Sequence, residues 1–221
     1  TLQVVVHSFF VVPLIIAVFA VIIFLFIRLM TSEPNSARDY LEDVKIGGTT
    51  KRWQGAFELS KLLSNPKMVP KDEMFVNEMI STFKYSSNDR DARIQQYLAI
   101  AMGATKDERY TKTLIDAMNG SDEGVVQACA FALGNIGKYD AIDPLKGLLD
   151  NPEPQIRLHA VIALGKIGSP STAPDLRKML SDPEPNVRWD ASIALAKQKD
   201  SSGRSILIDL LDRKYLNSFP N

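Results

Sequence analysis

One cysteine, Cys129, and two histidines, His7 and His159, are all the thiol and imidazole that the 221-residue sequence holds. A single thiol excludes an internal disulfide framework and is at home in a reducing compartment. Three such groups so far apart in sequence give no metal-ligand spacing. There is no Gly-rich phosphate loop and no nucleophile elbow, so neither nucleotide chemistry nor a recognisable acyl-transfer site is indicated. Charge of one sign is missing as well: Lys plus Arg and Asp plus Glu each number 26, for a formal net charge of +0. Without a basic surplus, nucleic acid is not an expected partner. Acidic pairs exist, Glu42 with Asp43 and Asp122 with Glu123, but they fall at helix ends and turns, where carboxylates cap and meet the helix dipole. No catalytic, cofactor-binding or metal-binding residue is therefore expected, and the chain reads as a non-enzyme.

What the sequence does have is one long apolar run. From Phe9 to Ile27 it reads FFVVPLIIAVFAVIIFLFI, without a charge. A bilayer core needs about 20 apolar residues in a helix, against about 7 to 15 for the apolar part of a signal peptide. The reading is a transmembrane signal-anchor helix over 1–31, in contact with lipid through residues 2–30, with Phe9, Pro13, Phe19, Phe24 and Ile27 along it. Pro13 removes one backbone donor, a fault that membrane helices tolerate. Arg28, Arg38, Lys45, Lys51 and Arg52 follow the run and no Lys or Arg precedes it. Positive residues favour the cytoplasmic side. The expectation is a single-pass protein of the inner (cytoplasmic) membrane, its soluble part facing the cytoplasm. His7 reads as a polar residue near the membrane interface.

Beyond a polar linker at 32–37, the sequence repeats itself every 31 residues. Ala101, Ala132, Ala163 and Ala194 align, then Met102, Leu133, Leu164 and Leu195, then Gly103, Gly134, Gly165 and Ala196. Leu114, Leu145, Leu176 and Leu207 fall in register upstream of turns such as NPEPQ and DPEPN, where proline stops or restarts a helix. Each unit thus holds a short first helix, a Pro/Asp turn and a second helix. Second helices are expected near 51–63, 91–104, 124–136, 155–167 and 186–197, with a longer connection around NPKMVPKDE and a capping helix in SILIDLLDRKY. Gly134, Gly137, Gly165 and Gly168 read as left-handed helix caps. About Cys129, positions 125, 129, 132, 133 and 136 share one face at 3.6-residue spacing. One hairpin cannot bury such a face, so neighbours must stack. The expected fold is all-α: a solenoid of about five hairpins over 38–215, followed by a tail at 216–221.

The phrases DNPEPQIRLHAVIALGKIG and SDPEPNVRWDASIALAKQKD resemble HEAT repeats of the short bacterial type, related to those of the phycobilisome-lyase class. The layout as a whole resembles bacterial membrane-anchored HEAT proteins. The resemblance implies a scaffold, adaptor or subunit of a complex, with the second helices lining the concave side. Family arginines match Arg157 and Arg188, whereas Gln95 and Val126 depart from that pattern.

One set of positions does not follow the stacking period. Phe57, Ile100, Phe131, Ile162 and Ile193, with Trp53, Leu158 and Trp189, lie about 160° from the Cys129 face on the helical wheel. Gln96 and Gln127 interrupt this stripe. Two readings stand side by side: neighbouring helices cover these side chains, or they line a groove for a partner, with Trp as an anchor. The preferred expectation is a non-catalytic accessory subunit of a membrane protein complex that binds other subunits through these eight residues. Alternatives are a lyase-like or chaperone-like accessory that handles a cofactor or client, and a reversible adaptor for soluble clients.

Overall fold

The computed structural model describes residues 11–31 and 35–212, with side chains described through residue 27 in the first segment. It divides into two compact units, Thr1–Asn35 and Ser36–Asn221. Twelve α-helices and no strand occur among the described residues.

The first unit contains α1, Val12–Thr31, which carries Pro13, Phe19, Phe24 and Ile27. Side chains from Val12 to Ile27 are exposed. No helix among the described residues is long and apolar enough to cross a membrane. The expected span over 1–31 is thus not supported by the structure; Phe9 and the other residues before 11 lie outside the described residues, as does the tail at 216–221.

The second unit is a solenoid. Its first helices are α2 (Ala37–Ile46), α4 (Glu73–Ser86), α6 (Thr111–Ala117), α8 (Ile142–Gly147) and α10 (Ala173–Lys178). Its second helices are α3 (Thr49–Leu62), α5 (Arg93–Thr105), α7 (Glu123–Ile136), α9 (Pro154–Ile167) and α11 (Pro185–Lys197), and α12 (Arg204–Asp209) follows. Each second helix packs against the next in chain order, α3 on α5, α5 on α7, α7 on α9 and α9 on α11. The expected long connection around NPKMVPKDE resolves into a 3-10 turn at Pro66–Met68 and the whole of α4, whose N-cap Asp72 accepts the Phe75 amide at 2.9 Å. A 14-residue first helix where later units use 6 or 7 accounts for the looser spacing there.

The repeated leucines do what the period requires. Leu59, Met102, Leu133, Leu164 and Leu195 are completely buried, as are Leu114, Leu145 and Leu176. Each such side chain contributes roughly 2 kcal/mol through removal from water. Cys129 lies among them, and burial pushes its thiol up to about 12, so it packs as a small apolar group.

The Ala-Leu-Gly motif sets the distance between repeats. A Cβ on Gly134 would lie 2.7 Å from the Cα of Ala163, and one on Gly165 would lie 2.7 Å from the Cβ of Ala194. Each glycine therefore receives the aligned alanine of the next repeat. This corrects the reading of Gly134 and Gly165 as caps: both are buried inside helices, and the left-handed caps are Gly137 at φ 79° and Gly168 at φ 70°. The fourth position of the series, Ala196, is exposed, and a larger residue fits where the next packed second helix is absent.

Arginines on the first turn of three second helices tie turns together. Arg157 donates from Nη1 to the carbonyls of Asn151 and Pro152 at 2.9 and 3.1 Å. Its Nε and Nη2 grip both carboxylate oxygens of Asp182, in the next turn, at 2.7 and 2.8 Å. This fork-on-fork pair is buried, a geometry lysine cannot reproduce. Burial alone would push the Asp182 carboxyl up; the hydrogen bonds from Arg157 and the Glu184 amide, with the charges of Arg157 and Arg188, hold it below its ordinary value. Arg188 repeats the inner half of the contact, donating to the carbonyls of Asp182 and Pro183 at 2.7 and 2.9 Å. In the first hairpin Arg52 grips Asp89 in the same forked manner and also reaches the Val44 carbonyl at 2.6 Å. The series is broken at α5 and α7, which carry Gln95 and Val126 instead.

Candidate functional site

The eight stripe residues fall on five successive second helices: Trp53 and Phe57 on α3, Ile100 on α5, Phe131 on α7, Leu158 and Ile162 on α9, Trp189 and Ile193 on α11. Seven are half-buried and Ile193 is 40% exposed. The face is therefore neither sealed nor fully open. Trp53, Ile100 and Leu158 rest against the hydrophobic core, so part of their area is structural.

Cations and one aromatic edge cover the larger rings. Phe57 meets Tyr97 of α5 edge-on, with centroids 5.2 Å apart and planes at 67°. The Lys61 ammonium lies 5.1 Å from the Phe57 centroid, and the Arg93 guanidinium lies 4.7 Å from that of Trp53. Lys166, on α9, holds its ammonium 4.2 Å from the Phe131 centroid while donating to Asn135 Oδ1 at 2.9 Å. Partial burial lowers the Lys166 pKa, and the nearby Lys197 adds to that. Such cation–ring contacts contribute on the order of 0.5 to 1 kcal/mol at exposed sites. They leave a surface that is apolar at its floor and edged by ion pairs, since Lys61 is paired with Glu58 at 3.1 Å and Arg93 with Asp91 at 2.7 Å. Of these partners, Lys61 is legible from its i+4 spacing to Phe57. Arg93 and Lys166 come from neighbouring repeats and carry no local signal.

Between α5 and α7 the stripe opens into a cleft of about 320 Å³ lined by Gln96, Ile100, Gln127, Ala128, Phe131 and His159, with Gly124 at its edge. Ile100 and Phe131 are thus brought together, whereas Leu158, Ile162, Trp189 and Ile193 lie farther along the row and do not line it. The two glutamines that interrupt the stripe in sequence supply amide donors and acceptors beside the apolar walls. His159 donates from Nδ1 to the Gln155 carbonyl at 2.7 Å, which orients the ring. No carboxylate lines this cleft. Gln96 donates from Nε2 to Asp122 Oδ1 at 3.3 Å, and Asp190, whose charge interacts with His159, has its pKa raised by burial, an effect opposed by the charges of Lys197 and His159. Among the described residues no group of three or more His, Cys, Asp or Glu is placed to hold a metal ion.

Comparison with known proteins follows this geometry. Solved structures with similar architecture include a chain of the complex of CpcE and CpcF of phycocyanin lyase from Nostoc sp., at 18% identity and a TM-score of 0.68, over 83% of this chain and 73% of that one. An engineered protein matches at 18% identity and a TM-score of 0.57, over 84% of this chain and 89% of its own. A designed armadillo repeat protein in complex with the peptide (KR)4 matches at 15% identity and a TM-score of 0.55, over 83% and 96%. At these identities the likeness is one of fold. No curated protein sequence matches the chain. The profile of HEAT repeats matches residues 82–156 and 146–216, more than half of the chain, and its helical hairpins are those described above. The chain belongs to the HEAT-repeat family.

Proposed function

We propose that the protein is a non-catalytic scaffold that docks a segment of a partner protein along its second-helix face. The observation that carries this reading is the stripe itself. Eight apolar residues on five consecutive helices remain half-buried or exposed in a fold that buries its stacking leucines completely. Partly open rows of this kind, rich in Trp and Phe, serve as interaction surfaces. The cover from Lys61, Arg93 and Lys166 mixes both charge signs, because Glu58 and Asp91 pair the first two, and suits a partner segment that is apolar where it meets the floor and polar along its edges. The finer reading is an accessory subunit of an inner-membrane complex, tethered by the apolar run around Phe9–Ile27 with the solenoid on the cytoplasmic side. Tethering would raise the effective concentration of the solenoid beside a membrane partner.

Purification in mild detergent with mass spectrometry of what stays bound tests the reading. Ile193→Glu and Ile162→Glu should keep the helical content and melting of the wild type while losing the retained protein. Retention of the same partner by both variants would overturn it. Release of the protein from membranes by alkaline carbonate would overturn the tether but not the docking face. A second reading, a lyase-like accessory, is favoured by the likeness in fold to a chain of the phycocyanin lyase complex and by a cleft that contains His159. Co-purification of a chromophore, lost in Phe131→Glu, would establish it in place of the first.

A further inference from the structure

The broken arginine series marks a second surface, on the turn edge and separate from the stripe. One repeat before Arg157 stands Val126, and the turn carbonyls that align with those of Asn151 and Pro152 belong to Gly120 and Ser121. No hydrogen bond reaches either carbonyl among the described residues. The residue aligned with Asp182 is Asn151, so the arginine and its carboxylate partner are replaced together. The local fold is otherwise kept: Asn151 Oδ1 accepts the Glu153 amide at 2.9 Å, just as Asp182 Oδ1 accepts the Glu184 amide at 2.8 Å.

What stands there is a cleft of about 350 Å³. Gly120, Ser121, Val126, Asn151, Glu123 and Glu153 form its polar and inner walls, and Met118, Leu148 and Ile156 its apolar side. No Lys or Arg lines it, and neither Glu123 nor Glu153 has an ion pair among the described residues. In the repeat that is closed, a guanidinium occupies the corresponding place, its charge supported first by Asp182 and then by Glu184 and Glu153. The open repeat retains the counterparts of the two glutamates, Asp122 and Glu153, and adds Glu123 where the closed one has Pro154.

We infer that this cleft receives an arginine side chain from a partner protein. The guanidinium donates to the Gly120 and Ser121 carbonyls and is balanced by Glu123 and Glu153, while its methylene stem lies along Met118 and Leu148. The planar fork is what the closed repeat already uses, so arginine is selected over lysine, whose ammonium is a point charge. This surface and the stripe are independent, and either can fail without the other.

The test uses the full chain, uniformly 15N-labelled, titrated with N-acetyl-arginine amide and, separately, with N-acetyl-lysine amide. Saturable shifts of the Gly120, Ser121, Glu123 and Glu153 amides are expected with the arginine probe. The lysine probe should bind about tenfold more weakly, the equivalent of one lost charged hydrogen bond. Val126→Arg with Asn151→Asp rebuilds the rung from within and should abolish the arginine response. Glu153→Gln, a substitution at a partly buried turn position, should weaken it several-fold with the fold unchanged. An absent or non-saturable response at these amides, equal response to both probes, or undiminished binding in Glu153→Gln would each overturn the inference.

Discussion

The turn served by Arg157 and the turn beside Val126 are one repeat apart and both keep the bond from the fourth helical amide to the N-cap carbonyl, Arg157 to Glu153 and Val126 to Asp122, yet only the first carries the arginine rung. In the first, a guanidinium links two carbonyls to the next turn's carboxylate, and the edge is filled. In the second, an apolar side chain stops short and leaves a cleft walled by glutamates. Both repeats keep the same glycine-to-alanine contact at their inner helices. Stacking distance is therefore set by the helix core, and the turn edge is free to vary. A solenoid can lose a rung without losing its period, because each repeat is held mainly by its immediate neighbours.

Breaking the filled edge should have the largest effect. Asp182→Ala leaves Arg157 buried without its carboxylate and should cost about 3 kcal/mol, the low end for a broken buried pair since this edge is near solvent; urea denaturation measures it. Gly134→Ala tests whether spacing is fixed by the core. Its new Cβ meets the Ala163 backbone, and a loss of about 1 to 3 kcal/mol is expected. Gly147→Ala, where a Cβ meets nothing within 4 Å, should instead gain about 0.5 to 1 kcal/mol. Equal effects at the two glycines would show that the core contact does not set the spacing.

Acid should separate the two edges more gently. Asp182 has a folded pKa below its unfolded one, so its contribution is complete above the ordinary carboxylate value of about 3.9 and is lost as pH falls through the folded value. Asp200, held by Ser202 and Arg177 and pushed down to about 2, behaves the same way over the window from 3.8 to that value. Melting temperature should be level just above pH 4 and decline below it, with a shallower decline in Asp182→Asn. The smallest effect is the reverse substitution. Val126→Arg with Asn151→Asp, copying the filled edge, should raise stability by about 1 kcal/mol or less, since a new ion pair must offset its own desolvation.

Much of this architecture was legible because stacking demands periodicity. The 31-residue offset located the last four second helices to within a few residues, while α3, 43 residues before the next repeat, was found from the likeness of RWQGAFELSKLL to RWDASIALAKQ; the buried leucines fell where the period put them. The first helices were harder. Three of them, α6, α8 and α10, are short and directly preceded by 3-10 turns, which leaves little amphipathic signal, and the longer α4 was hidden inside what read as a connection. Gly134 and Gly165 were misread because a glycine two residues before a helix end looks like a cap until the neighbouring alanine is in view. The stripe was legible as a set of apolar positions, but its half-buried state was not. Exposure there depends on Tyr97, Arg93 and Lys166, which approach from adjacent repeats.

By itself, then, the sequence determined the helical period, the stacking face and the order of the hairpins, since each follows from spacing within one segment. Tertiary structure alone decided which repeats meet closely enough to close an edge or cover a ring. Arg157 and Asp182 are 25 residues apart, and Lys166 reaches Phe131 across a helix boundary. Such contacts depend on the distance between stacked helices, a quantity that the Gly134–Ala163 contact fixes and that no single repeat encodes.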